Sequence, residues 1–195
     1  MKVRSYTSVP MSAAVFDIET TDFAAGGILD HMICGSILPL EGKIETYKIS
    51  HSDNRDDCRV LTEFLGALSR YGLLIGHNIL AFDILWLRSR SSYHGLELPE
   101  RQYICYDTYQ AARRQGIKAE RKSLAFLGDF YRLKNLKTLI YPVAWSMVDS
   151  PGRTEAEEAI TSVVSHCEQD VTMNRDLFYA LWQRDKMVSL PIRRM

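Results

Sequence analysis

A chain of 195 residues, 46% apolar and 25% charged, has the length and composition of a globular protein with one sizeable core. Its 24 basic residues balance 24 acidic ones. That counts against a protein that coats nucleic acid, but not against an enzyme that holds a few nucleotides with the help of cations. No apolar run could span a membrane and no signal-type stretch follows Lys2 and Arg4, so the sequence reads as cytoplasmic, without a membrane partner.

In chain order the first half reads as strands: 13–18, then 31–38 and 44–49, the last two joined by the turn Pro39-Leu40-Glu41-Gly42-Lys43. Val60, Leu61, Phe64, Leu65 and Leu68 have helical spacing and predict a helix over 56–70. Leu73-Leu74-Ile75 forms a short buried strand, 80–92 a helix, 103–106 a strand, and 108–115 and 122–128 two more helices. Pro142, Pro151 and Gly152 mark 138–153 as an irregular connection. Thr154 and Glu157 have the form of a capping box opening a helix that runs to about 184. Three sequential strands followed by alternating helix and strand make an α/β mixed sheet with helices packed on it. The chain reads as one domain, with a core over about 11–185. Cys34, Cys58, Cys105 and Cys167 form no Cys-x-x-Cys pair and read as free, mostly buried thiols.

Acids carry the chemistry. Asp17 and Glu19, at the end of the first strand, project from one face, and a divalent cation is the usual partner of two such carboxylates. The alternative is a strand-end turn in which Asp17 caps nearby N–H groups. Asp83 stands in the apolar run Ile79 to Leu87, where an ionised carboxylate is costly unless paired or metal-bound. The alternative there is an exposed helix face or an N-cap. His166 and Asp170 are four apart and share a helix face, as a general base and a metal ligand or as an ordinary surface pair. Four acids with a nearby imidazole suggest two-metal phosphodiester hydrolysis. Asn78 shapes the turn before Asp83 and is a second candidate for substrate contact. His77 beside it, at the expected entrance to the site, is a further candidate for substrate contact, and His31, His51 and His94 read as surface or core-edge residues.

Together these segments resemble the DEDD superfamily of 3′→5′ exonucleases, built on the ribonuclease H-like fold. Asp17-x-Glu19, Asp83 and Asp170 occur in the family's order, and the resemblance runs from Ala13 to about Trp182. Gly76-His77-Asn78 followed by Phe82-Asp83 is similar to the second motif of proofreading domains in family A and B DNA polymerases. In the third motif His166 has the family's Tyr-type spacing with His-type chemistry. The His branch has its base five before the Asp, where this chain has Ser165. The resemblance implies two divalent ions, Mg²⁺ or Mn²⁺. Asp17 would bridge both, Glu19 and Asp170 would complete one site, and Asp83 would hold the other. It also implies Thr20 and Thr21 near the terminal nucleotide, and Phe23 as an apolar wedge between bases or a loop aromatic on the core. Phe82 reads as a packing residue that sets the Asp83 backbone.

Arg113, Arg114, Lys118, Arg121 and Lys122, with Arg132, Lys134 and Lys137, form a phosphate track or a solvated face. Trp145 and Tyr141, in the irregular segment, are further candidates for contact with nucleic acid, which the sequence does not decide. The expected activity is a stand-alone exonuclease on single-stranded DNA or frayed 3′ ends, with a replication or repair protein as partner. Exoribonuclease action on short RNA, or a nucleic-acid-binding or assembly domain of the same fold, remains open.

Overall fold

The structure is a computed structural model and describes residues 12–21, 30–53, 55–97, 103–116, 122–135 and 143–185. Five strands form one mixed sheet: β1 (Ala13–Thr20), β2 (Met32–Pro39), β3 (Glu45–Lys48), β4 (Leu73–Gly76) and β5 (Ile104–Asp107), in the order β3-β2-β1-β4-β5. The β1–β2 and β2–β3 pairs are antiparallel, and the β1–β4 and β4–β5 pairs parallel. A central strand covered on both faces must be apolar on both, and β1 is: Ala13 and Val15 pack on one side, Ala14, Phe16 and Ile18 on the other.

Helices α1 (Cys58–Leu68) and α2 (Asp83–Tyr93) cover the Phe16 side, where Leu61, Phe64, Trp86 and Leu87 are fully buried. The opposite side takes α3 (Thr108–Arg114), α4 (Leu124–Phe130) and the distal half of α6 (Arg153–Asp185), through Ala111, Leu127, Val171, Leu177 and Phe178. Burying a Leu or Phe side chain contributes about 1.5–3 kcal/mol, so this cover holds α6 flat across β1 and β2. A short helix, α5 (Val143–Met147), precedes α6. Among the described residues no helix is long and apolar enough to cross a membrane.

Most expected elements occur within a few residues of their predicted bounds, and three points differ. Part of the expected irregular stretch is α5; residues 138–142 lie outside the described residues. Thr154 does not open the last helix. That helix starts at Arg153, with the Gly152 carbonyl accepting from the Ala156 N–H at 3.1 Å, and Glu157 accepts from the His51 N–H at 3.0 Å instead. The carboxylate of Glu155 folds over Gly152, where a Cβ would lie 2.1 Å from it. Finally, His31 is not at the surface: it is 1% exposed, with Nε2 3.3 Å from the Asp149 carboxylate, and burial holds its pKa below the ordinary value against the pull of Asp149.

Candidate active site

The site forms where β1 outruns β4. Pairing between them covers only Ala13 to Val15, and past that point the chain turns from β4 into α2. Gly76 makes this turn possible, since a Cβ there would lie 2.0 Å from Ile79 Cγ2 and 3.1 Å from the Phe16 carbonyl oxygen. Asn78 takes the left-handed conformation, φ 64°, which Asn tolerates better than most residues. The buried Asp107 carboxylate holds the turn, accepting from the Asn78 N–H (3.0 Å), the Leu80 N–H (3.2 Å) and, as N-cap of α3, the Gln110 N–H (3.2 Å). Phe82, packed on the core, is the N-cap position of α2, so Asp83 opens the helix rather than lying within one that begins at 80. Its carboxylate accepts from its own N–H and from that of Ile18, the residue between Asp17 and Glu19.

The opposite wall is α6. His166 Nε2 lies 3.9 Å from Glu19 Oε1 and 3.9 Å from Asp170 Oδ2. Glu19, His166 and Asp170 each offer one ligand atom, all within 4.8 Å of one another. Ser165 is solvent-exposed and accepts a hydrogen bond from Gln169, so it is His166 that the helix phase turns toward the acids. Cys167 Sγ lies 3.6 Å from Asp17 Oδ2 and 3.5 Å from the Asp17 carbonyl oxygen. Burial, then Cys34 and the neighbouring carboxylates, push this thiol well above its ordinary pKa, so it acts as a donor. A register shift between Glu19 and Thr20 re-aims the strand end beside the acids.

Glu19, Asp83 and Asp170 are all at most 9% exposed; Asp17 is more open. Burial, with Asp107 adding to it, pushes Asp83 up to about 7 despite its two backbone donors. Crowded, desolvated carboxylates with one imidazole fit a hard divalent cation, which accepts oxygen ligands and offsets their mutual repulsion. Asp56, Asp57 and His94 form a second acid–imidazole group, but the Arg90 guanidinium already engages both Asp57 oxygens. Between an ordinary carboxyl value and about 7, the folded metal-free protein keeps a proton on Asp83 that the unfolded chain releases. Its stability should therefore fall as pH rises through that window. Urea unfolding in EDTA at pH 5 and pH 7.5 checks this, and Asp83→Asn should flatten the difference.

Of the other expected contacts, Thr20 is buried, and the Thr21 hydroxyl accepts from the His31 N–H at 3.1 Å. His77 is structural in its contacts: Nδ1 is 3.0 Å from Thr108 Oγ1 and Nε2 2.9 Å from the Lys122 carbonyl oxygen. Phe23 lies outside the described residues, as do Lys118, Arg121, Lys137 and Tyr141. Arg113, Arg114, Arg132 and Lys134 are exposed. Sequence reasoning missed Asp107 and Cys167. An Asp-Thr step between a strand and a helix is a capping signal that points to Asp107; nothing local marks Cys167. Trp145 is half-buried, and its indole N–H donates to Glu19 Oε2 at 3.0 Å.

No curated protein matches the sequence. Among solved structures, the family B DNA polymerase from the hyperthermophilic archaeon Pyrobaculum calidifontis is similar in fold, with a TM-score of 0.74 at 16% identity. The similarity covers 93% of this chain and 26% of the polymerase chain, so this chain spans about a quarter of that protein's length. The RNase_H superfamily model RNase_H_2 matches residues 14–182, from the start of the central strand almost to the end of α6 and across every acid of the site. The chain belongs to the RNase_H superfamily.

Proposed function

We propose that this protein is a metal-dependent 3′→5′ exonuclease that releases nucleoside 5′-monophosphates from single-stranded DNA or frayed 3′ ends. Membership of the RNase_H superfamily supports a nuclease-type activity. The observation that carries the finer reading is the convergence of four acids from three elements: Asp83 on the amide between Asp17 and Glu19, and Asp170 across from Glu19 beside His166. The motif spacing and the fold likeness to a family B DNA polymerase support DNA as the substrate. In this reading about residues 11–185 form one exonuclease domain, acting alone or beside a replication or repair protein.

Asp17, Glu19, Asp83 and Asp170 would hold two divalent ions, Mg²⁺ or Mn²⁺. Bound there, such ions polarise the phosphodiester and acidify water. The remaining work belongs to the chain. His166, buried between Glu19 and Asp170, takes the proton from the attacking water. Asp107 keeps the turn that aims Asp83, and the α6 wall limits access of bulk water to the acids.

The direct test is digestion of a 5′-labelled single-stranded DNA oligonucleotide with Mg²⁺ or Mn²⁺, beside EDTA and matched RNA. A ladder shortening from the 3′ end on DNA, abolished by EDTA, is the expected result. Preferential cleavage of the RNA would replace DNA as the substrate, and binding without cleavage of either would overturn the enzyme reading. His166→Ala should slow single-turnover cleavage by on the order of 10²–10⁴. A loss below tenfold would remove His166 as the base.

A further inference from the structure

Trp145 belongs to none of the acid-bearing segments, yet it touches two members of the site. From α5 its indole N–H donates to Glu19 Oε2 at 3.0 Å, and its ring meets the His166 ring edge-on, with centroids 5.5 Å apart and planes at 87°. The other Glu19 oxygen, Oε1, faces His166 Nε2. An indole N–H is a donor only, so Trp145 can be neither a metal ligand nor a base.

We infer that Trp145 is a positioning residue that engages one oxygen of Glu19, so that the carboxylate presents its other oxygen, as a one-point ligand, to a cation shared with Asp170. The role rests on the metal-dependent reading of the site. Carboxylates that bind metals are themselves oriented by hydrogen bonds, and losing such a partner typically weakens metal binding by about 10–100-fold. The same ring limits rotation of the His166 imidazole, so one side chain sets the direction of both a ligand and the base. Its half-buried indole also narrows solvent access to Glu19, which strengthens the attraction between carboxylate and cation.

Two measurements test this. In calorimetric titration with Mn²⁺, Trp145→Phe, which keeps a ring against His166 but lacks the donor, should bind about 10–100-fold more weakly than the natural protein. Trp145→Tyr, which restores a donor, should bind more tightly than the Phe variant. At saturating Mn²⁺ the Phe variant should regain most of its cleavage rate, since the defect lies in holding the ion. Wild-type affinity in the Phe variant overturns the inference.

The second measurement uses the natural protein and holds even where a variant fails to fold. Trp86 is fully buried, and Trp182 lies 12 residues beyond Asp170 on α6, about 18 Å along the axis. Addition of Mg²⁺ should therefore shift the indole emission through Trp145, with the same midpoint as a calorimetric isotherm recorded with Mg²⁺. No change in emission on metal binding overturns the inference. Weakened Mn²⁺ binding in the Phe variant without cleavage of DNA or RNA would leave the positioning role standing while the exonuclease reading failed.

Discussion

Asp17→Ala and Asp170→Ala should each reduce metal-dependent cleavage by on the order of 10³-fold or more, since a metal ion supplies several kcal/mol of transition-state stabilisation and each 1.36 kcal/mol is tenfold in rate. The two residues come from different walls, β1 and α6, and neither is a member of the apolar core clusters on the two sides of the sheet. Both variants should therefore fold. In EDTA they should melt at or above the midpoint of the natural protein, because each removes one carboxylate from a group that repels itself when no cation is present. Single-turnover digestion of the labelled oligonucleotide, paired with thermal melting in EDTA, separates the two effects. Activity above a tenth of the natural rate in either purified variant would remove that residue from the metal site.

Asp57→Ala should be the most damaging single change to stability away from the site. Asp57 is wholly buried and accepts from the Met32 N–H (2.7 Å), from Arg90 Nε (2.9 and 3.0 Å) and Nη2 (2.8 Å), and lies 2.7 Å from His94 Nε2. Burial alone would raise this carboxyl. The Arg90 guanidinium, the Met32 amide and His94 overcome it and hold the pKa below the ordinary range. The group therefore contributes stability that is present above the usual carboxylate range and lost as pH falls through its folded value. Removing it leaves Arg90, 5% exposed, as an uncompensated buried charge. The cost of that is about 3–5 kcal/mol. At about 2–4 °C per kcal/mol for a chain of this size, the midpoint should fall by roughly 10 °C. The double variant Asp57→Leu with Arg90→Met should recover much of the loss, because no lone charge remains. A fall under about 2 °C for Asp57→Ala would mean that Arg90 finds another partner or water.

Elements whose signal lies within a few residues were legible from the order of amino acids. The apolar run into Asp17 marks β1 as a buried central strand, and the helical spacing of Val60 to Leu68 marks α1. The acids themselves, their order and the long last helix followed from the same local patterns, because strand and helix periods place side chains on faces without reference to the rest of the chain. Two local readings failed where a longer contact intervened. Thr154 has the right neighbours for a cap, but Glu157 is drawn to the His51 amide. His31 reads as a surface or core-edge residue at the start of a strand, but it is buried facing Asp149.

What tertiary structure alone decided is which residues meet. Whether position 165 or 166 faces the acids depends on the phase of α6 against the sheet, set by the packing of Val171, Leu177 and Phe178 about one to three turns away. The partners that shape the site are remote in sequence: Asp107 holds Asn78 across 29 residues, Trp145 holds Glu19 across 126, and Cys167 meets Asp17 across 150. Composition and periodicity carry no record of such pairings. They arise only when the apolar faces of β1, α2 and α6 have closed on one core and brought the polar ends of those elements to the same edge of the sheet.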